Sequence, residues 1–70
     1  MSGYLIVIEQ DGESWGAYAP DLPGLGVAAD GRAEVEQLAR EAVASHLALL
    51  KELGEPIPSP TAQATYVEVA

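Results

Sequence analysis

The stretch Tyr18-Ala-Pro-Asp-Leu-Pro-Gly-Leu-Gly-Val27, YAPDLPGLGV, fits neither a regular strand nor an ordinary polar loop. Tyr18, Leu22, Leu25 and Val27 are apolar, yet Pro20, Pro23, Gly24 and Gly26 interrupt them. A proline cannot donate to a strand ladder, and glycine weakens a strand interior. The segment therefore reads as a non-ladder connection between two strands. Pro20 and Pro23 fix its shape, which lowers the entropy cost of presenting Leu22 and Leu25. Two outcomes stay open: Leu22 plugs the sheet edge, or Pro20 to Leu25 form a ready-made contact surface for a partner.

Upstream, Tyr4 to Ile8 is a β-branched and aromatic run that predicts a first strand. Alternation places Tyr4, Ile6 and Ile8 on one face and Leu5 and Val7 on the other. Gln10 to Ser14 contains Asp11-Gly12, a hairpin signal. Trp15 to Ala19 follows as a second strand, with Trp15, Ala17 and Ala19 sharing a face. Trp15 has two readings, main core residue or aromatic anchor of an interface. Downstream, Leu25 to Ala29 predicts a weaker third strand, and Asp30-Gly31 a turn.

From Ala33 to Leu53 the period becomes helical. Val35, Leu38, Ala39, Ala42, Val43, His46, Leu47, Leu50 and Leu53 form one apolar stripe. Asp30 is placed to cap this helix. Gly54 stops it, and Pro56, Pro58 and Pro60 prevent its resumption. Gln63 to Val69 alternates again and predicts a last strand, with Thr65, Val67 and Val69 against Tyr66 and Glu68. The order β-β-β-α-β gives one α+β domain over residues 1–70, an antiparallel-rich sheet with one long helix on one face. A single helix covers a single face, yet the first strand is apolar on both. Either the other face is small enough to tolerate water, or a second copy or a foreign partner covers it.

Composition narrows the function. Seventy residues without cysteine leave no disulfide staple, and one histidine leaves no Cys/His zinc site. Small chains of this kind gain stability by oligomerising or by binding a partner. No run is long enough to span a bilayer, and Met1-Ser-Gly-Tyr4 lacks the positive flank of a signal peptide, so the expected location is the cytoplasm. The net charge is −8. Arg32, Arg40 and Lys51 are the only basic residues, whereas Glu9, Asp11, Glu13, Asp21, Asp30, Glu52, Glu55 and Glu68 are spread along the chain. Such a surface repels phosphate, which argues against direct nucleic-acid binding; it either steers in a basic protein or simply keeps a small protein soluble.

Chemistry is sparse. His46 falls within the apolar stripe and reads as a packing residue. Ser14, Ser45 and Ser59 lack a nucleophile-elbow context, and Gly24-Leu-Gly26 is a turn fragment rather than a phosphate loop. A two-metal nuclease site needs carboxylates converging from strand interiors; Asp11, Glu13, Asp21 and Asp30 are expected in turns, with Glu9 and Glu68 near strand ends. No catalytic residue, cofactor or metal site is predicted.

The Asp-Gly turn, Trp15-Gly-Ala-Tyr18 and Pro20-Asp-Leu-Pro-Gly24 together resemble the N-terminal domain of the HicB-like antitoxins. Glu41-Ala-Val43 and Gly54-Glu-Pro-Ile-Pro-Ser-Pro60 extend the resemblance, which runs from about Tyr4 to Val69. It implies a partial ribonuclease H-like fold and the neutralisation, by direct binding, of a small basic mRNA-cleaving toxin of the HicA type. In place of the family's Ser/Thr helix cap followed by Glu-Glu, the chain has Asp30-Gly-Arg-Ala-Glu-Val35. Ala70 follows directly on the last predicted strand, without the operator-binding domain usual in the family, so a stand-alone member without autorepression of its own is expected. The residues expected at the partner interface are Trp15, Tyr18, Pro20, Asp21, Leu22, Pro23 and Leu25. The alternative reading is a small structural or regulatory homo-oligomer, a dimer or higher, without a toxin. A degenerate nuclease depending on Glu9 or Glu68 is a third.

Overall fold

A computed structural model describes residues 3–70. Met1 and Ser2, where the 1–70 domain and the reading against a signal peptide begin, lie outside the described residues. Strands β1 (Val7–Asp11), β2 (Ser14–Tyr18) and β3 (Gly26–Ala29) are followed by one helix, α1 (Arg32–Glu52). The strands form an antiparallel sheet in chain order, β1-β2-β3. This is the α+β arrangement expected from the sequence, with three strands and then the long helix.

The first strand starts later than its apolar run. Asp11 pairs with Ser14 across a two-residue loop, Gly12-Glu13, and this register places Val7 opposite Tyr18. Beyond Tyr18 the neighbouring strand has ended and Pro20 offers no N–H, so Tyr4 to Ile6 have no ladder to join. The ladder instead continues to Asp11, which is a strand residue rather than the turn residue it was expected to be.

Residues Val7, Tyr18 and Gly26 lie side by side across the sheet, as do Glu9, Gly16 and Ala28. The alternate residues face the helix. Ala17, Val35 and Ala39 are buried together, and Ile6, Ile8, Trp15, Val27 and Ala29 pack against them. Alanines at 17 and 39 let helix and sheet approach closely. At about 1.5 Å per residue the helix is roughly 30 Å long, against about 17 Å for a five-residue strand. Near its C-terminal end Leu49 is exposed and Leu53 is 63% exposed.

The helix begins at Gly31, whose carbonyl accepts the first helical hydrogen bond from the Val35 N–H at 2.9 Å. No side chain caps it, so Asp30 does not perform the expected role. Glu34 in the first turn and Lys51 in the last complement the helix dipole. The C-terminal end is closed by a Schellman motif. Gly54 N–H donates to the Lys51 carbonyl at 3.2 Å and Glu55 N–H to the Leu50 carbonyl at 2.9 Å. Gly54 has φ 71°, a left-handed conformation that costs a side-chain-bearing residue about 1–2 kcal/mol. A Cβ there would meet nothing within 4 Å. Gly54→Ala is therefore expected to lose about 1 kcal/mol in a denaturant melt through backbone conformation alone.

The predicted last strand is not formed. Residues 55–70 carry no regular secondary structure, and residues 63–70 are all exposed. The alternating pattern is present in the sequence, but a strand needs a neighbour, and within this chain the segment has none.

Candidate protein-interaction site

The connection from β2 to β3 is two consecutive turns sharing Leu22. Leu22 N–H donates to the Ala19 carbonyl at 3.0 Å, and Leu25 N–H donates to the Leu22 carbonyl at 3.2 Å. Pro20 and Pro23 each occupy the second position of a turn, where their fixed φ is favourable. Gly24, at the third position of the second turn, has φ 87°, as a type II turn requires. The two turns tuck Leu22 inward until none of its surface is accessible.

Leu22 is thus a core residue, and the expectation that it lies on the contact surface is corrected: the pivot of a double turn points inward. The other expected interface residues separate by position. Trp15 is half-buried on the helix side of the sheet, packed against the core. Tyr18 is 43% exposed on the opposite, open face. Pro20 and Pro23 are exposed at the turns, and Asp21 and Leu25 are half-buried beside them.

Asp21 has a role the sequence did not signal. Its carboxylate accepts hydrogen bonds from the Thr61 N–H, the Thr61 hydroxyl and the Ala62 N–H, each at 2.9 Å. Tyr4 donates its hydroxyl proton to the Pro58 carbonyl nearby. Residues 58–62 are thereby strapped across the end of the sheet. The Ala62 N–H, followed by the Thr61 hydroxyl and N–H, holds the Asp21 carboxyl below its ordinary value of 3.8 despite partial desolvation. A lowered folded-state value means that the strap's contribution is complete above the unfolded carboxyl's value and is lost as pH falls through the lower one. Asp21→Ala should expose the Thr61 and Ala62 amides to rapid hydrogen exchange at neutral pH. Native protein should show the same loss only in acid below the ordinary carboxylate range.

The open face is flat. Gly16, Gly26 and Ala28 form its floor, Val7 and Tyr18 one side, and Glu9 the other. Glu9, Asp11 and Glu13 are exposed at and beside the hairpin, which gives that end a negative field. A Cβ at Gly16 would meet only the Val27 carbonyl oxygen, at 3.7 Å. The fold itself has room for a side chain there. Strand alternation could have flagged Gly16, since Trp15 and Ala17 face the helix.

Arginine is engaged elsewhere. On the outer face of α1, Glu36 accepts from Arg32 at 2.8 Å and from Arg40 at 2.7 Å. Arg40 and then Arg32 hold the Glu36 carboxyl below its usual range. These exposed pairs are solvent-screened and partly cancel what basic charge the chain has. Among the described residues no group of three or more His, Cys, Asp or Glu could hold a metal ion. No described helix is long and apolar enough to cross a membrane.

Residues 4–69 match a family model described as the HicB_like antitoxin of bacterial toxin-antitoxin system. No curated protein and no solved structure matches the chain.

Proposed function

Because this chain belongs to the HicB-like antitoxin family of bacterial toxin–antitoxin systems, we propose that it neutralises a small basic mRNA-cleaving toxin of the HicA type by covering it. The family match over residues 4–69 carries this reading. The acidic balance supports it: −8 on the chain, with Glu9, Asp11 and Glu13 beside the flat face, attracts a basic protein and repels RNA. Contact is made by Tyr18, by the glycine and alanine floor, and by the outward side of the double turn at Pro20 and Pro23. The chain performs no chemistry and needs no cofactor, and its place of action is the cytoplasm, where mRNA is translated. A second reading, a homo-oligomer that uses the free face or edge of the sheet, is favoured by the apolar residues that one helix leaves uncovered.

The test is reconstitution with a toxin of that class, reading ribonuclease activity and association rate. Native chain should suppress cleavage, and raising ionic strength from about 0.05 to about 0.5 M should slow association by about tenfold or more. Gly16→Val should leave the thermal midpoint close to native, because the site accepts a Cβ and valine favours strands. It should weaken toxin binding by about tenfold or more, since an extra branched side chain lifts a partner off the flat face. Toxin bound as tightly by Gly16→Val as by native chain would remove the open face from the contact.

A further inference from the structure

The chain carries both halves of a strand pairing and uses neither. Gln63 to Val69 has the alternation of a strand, yet Tyr66, Val67 and Val69 are 101%, 79% and 89% exposed. At the other end of the sheet order, β1 has β2 on one side and an unpaired edge on the other. An edge of this kind, with its row of free N–H and C=O groups, is a template for another strand. We propose that residues 63–69 of one copy add as a fourth strand to the β1 edge of a second copy, and reciprocally, giving a strand-exchanged dimer.

The dimensions agree. Seven extended residues span roughly 23 Å, enough to cover the roughly 17 Å edge of Val7–Asp11 from end to end. The strap through Asp21 holds Thr61 and Ala62 against their own domain, and residues 63–70 beyond it are exposed. Chemistry also selects the occupant. Glu68 is the only charged residue of the segment, so the tail has little to draw in a basic protein. Val67 and Val69, on one side of it, match Ile6 and Ile8, which are half-buried beneath the helix. A two-fold axis satisfies the tail and the β1 edge in both copies at once, and only the four-residue edge of β3 stays unpaired. The exchange uses the edge of the sheet rather than its open face, and it holds with or without a toxin.

Sedimentation at increasing protein concentration tests the proposal. Native chain is expected to sediment as two copies, more completely at high salt, because each copy carries −8 and screening weakens their repulsion. Toxin binding has the opposite salt dependence. The double substitution Tyr66→Pro with Val67→Pro should return the mass to that of one copy while circular dichroism retains the helix. Successive N–H groups in a strand point to opposite sides, so one of the two must have faced the neighbour. As a second readout that does not depend on the folding of that variant, the cysteine-free chain allows single cysteines. A chain with Tyr66→Cys, mixed in turn with Leu5→Cys, Val7→Cys and Glu9→Cys chains, should form a mixed disulfide dimer with at least one. A native monomer at all concentrations, a dimer that survives the double proline substitution, or no mixed disulfide with any of the three would each overturn the proposal.

Discussion

Replacing Leu22 by alanine is expected to destabilise the domain by about 2–5 kcal/mol, the usual cost of emptying a fully buried leucine site. A 70-residue domain has roughly 4–10 kcal/mol to lose. The variant should therefore show a large drop in denaturation midpoint, and at the upper end of the range it should be substantially unfolded at room temperature. The local geometry allows little relief. Leu22 is held by its own N–H and its own carbonyl in two turns whose second positions are prolines, so the backbone cannot collapse into the cavity. The same substitution separates two roles for this residue. If Leu22 served mainly as a contact, Leu22→Ala would keep its stability and lose partner affinity. With no accessible surface, it should lose stability first. Urea melts followed by Trp15 fluorescence would measure this directly.

Val35→Asp should have an effect at least as large. Val35 is buried one turn into the helix, against Ala17 and beside Ala39. The described residues bury no charged side chain, and the three basic residues sit on the helix, where Arg32 and Arg40 are engaged with Glu36. An aspartate at 35 would lack a buried partner, and an unpaired buried carboxylate costs several kcal/mol unless it takes up a proton. Taken with the lost apolar contact, the penalty should approach the whole stability of the domain. The helical signal at 222 nm should disappear at neutral pH and return in part in acid, as the carboxyl is neutralised. Recovery of the helix at neutral pH would mean that α1 docks by some face other than the one containing Val35 and Ala39.

The helix is legible in the sequence almost to the residue, expected over 33–53 and found over 32–52, because a 3.6-residue apolar period sustained over several turns fits no strand or loop. The second and third strands are legible for a similar reason. The first is displaced from its expected position because its apolar run, Tyr4 to Ile8, only partly coincides with the residues that find a ladder. Pairing is set by the hairpin register and by where the neighbouring strand ends, and composition carries neither. The last strand shows the same limit more sharply. Alternation from Gln63 to Val69 states a readiness to pair, whereas the neighbour belongs to the tertiary or quaternary structure.

The site divides along the same line. Tyr18 on the open face and the turns at Pro20 and Pro23 can be read from alternation and from proline position. The inward direction of Leu22 cannot, because it follows from two turns acting together. In the sequence Asp21 is only an acidic turn residue. Its partners lie 40 and 41 residues away, and no local pattern announces them.

The order of the strands also has a bearing on the time course of folding. Each strand pairs with its immediate successor, so the sheet can zip from hairpin to hairpin without closing a long loop, and the helix then lands on a platform already made. Topologies dominated by such short-range pairings fold quickly, in about microseconds to milliseconds for the most local of them. The strap is the exception: the contact from Tyr4 to Pro58 closes a loop spanning 54 residues. The entropy of closing so long a loop is offset only once the sheet and helix hold its two ends near each other, so this contact is expected to form late in refolding.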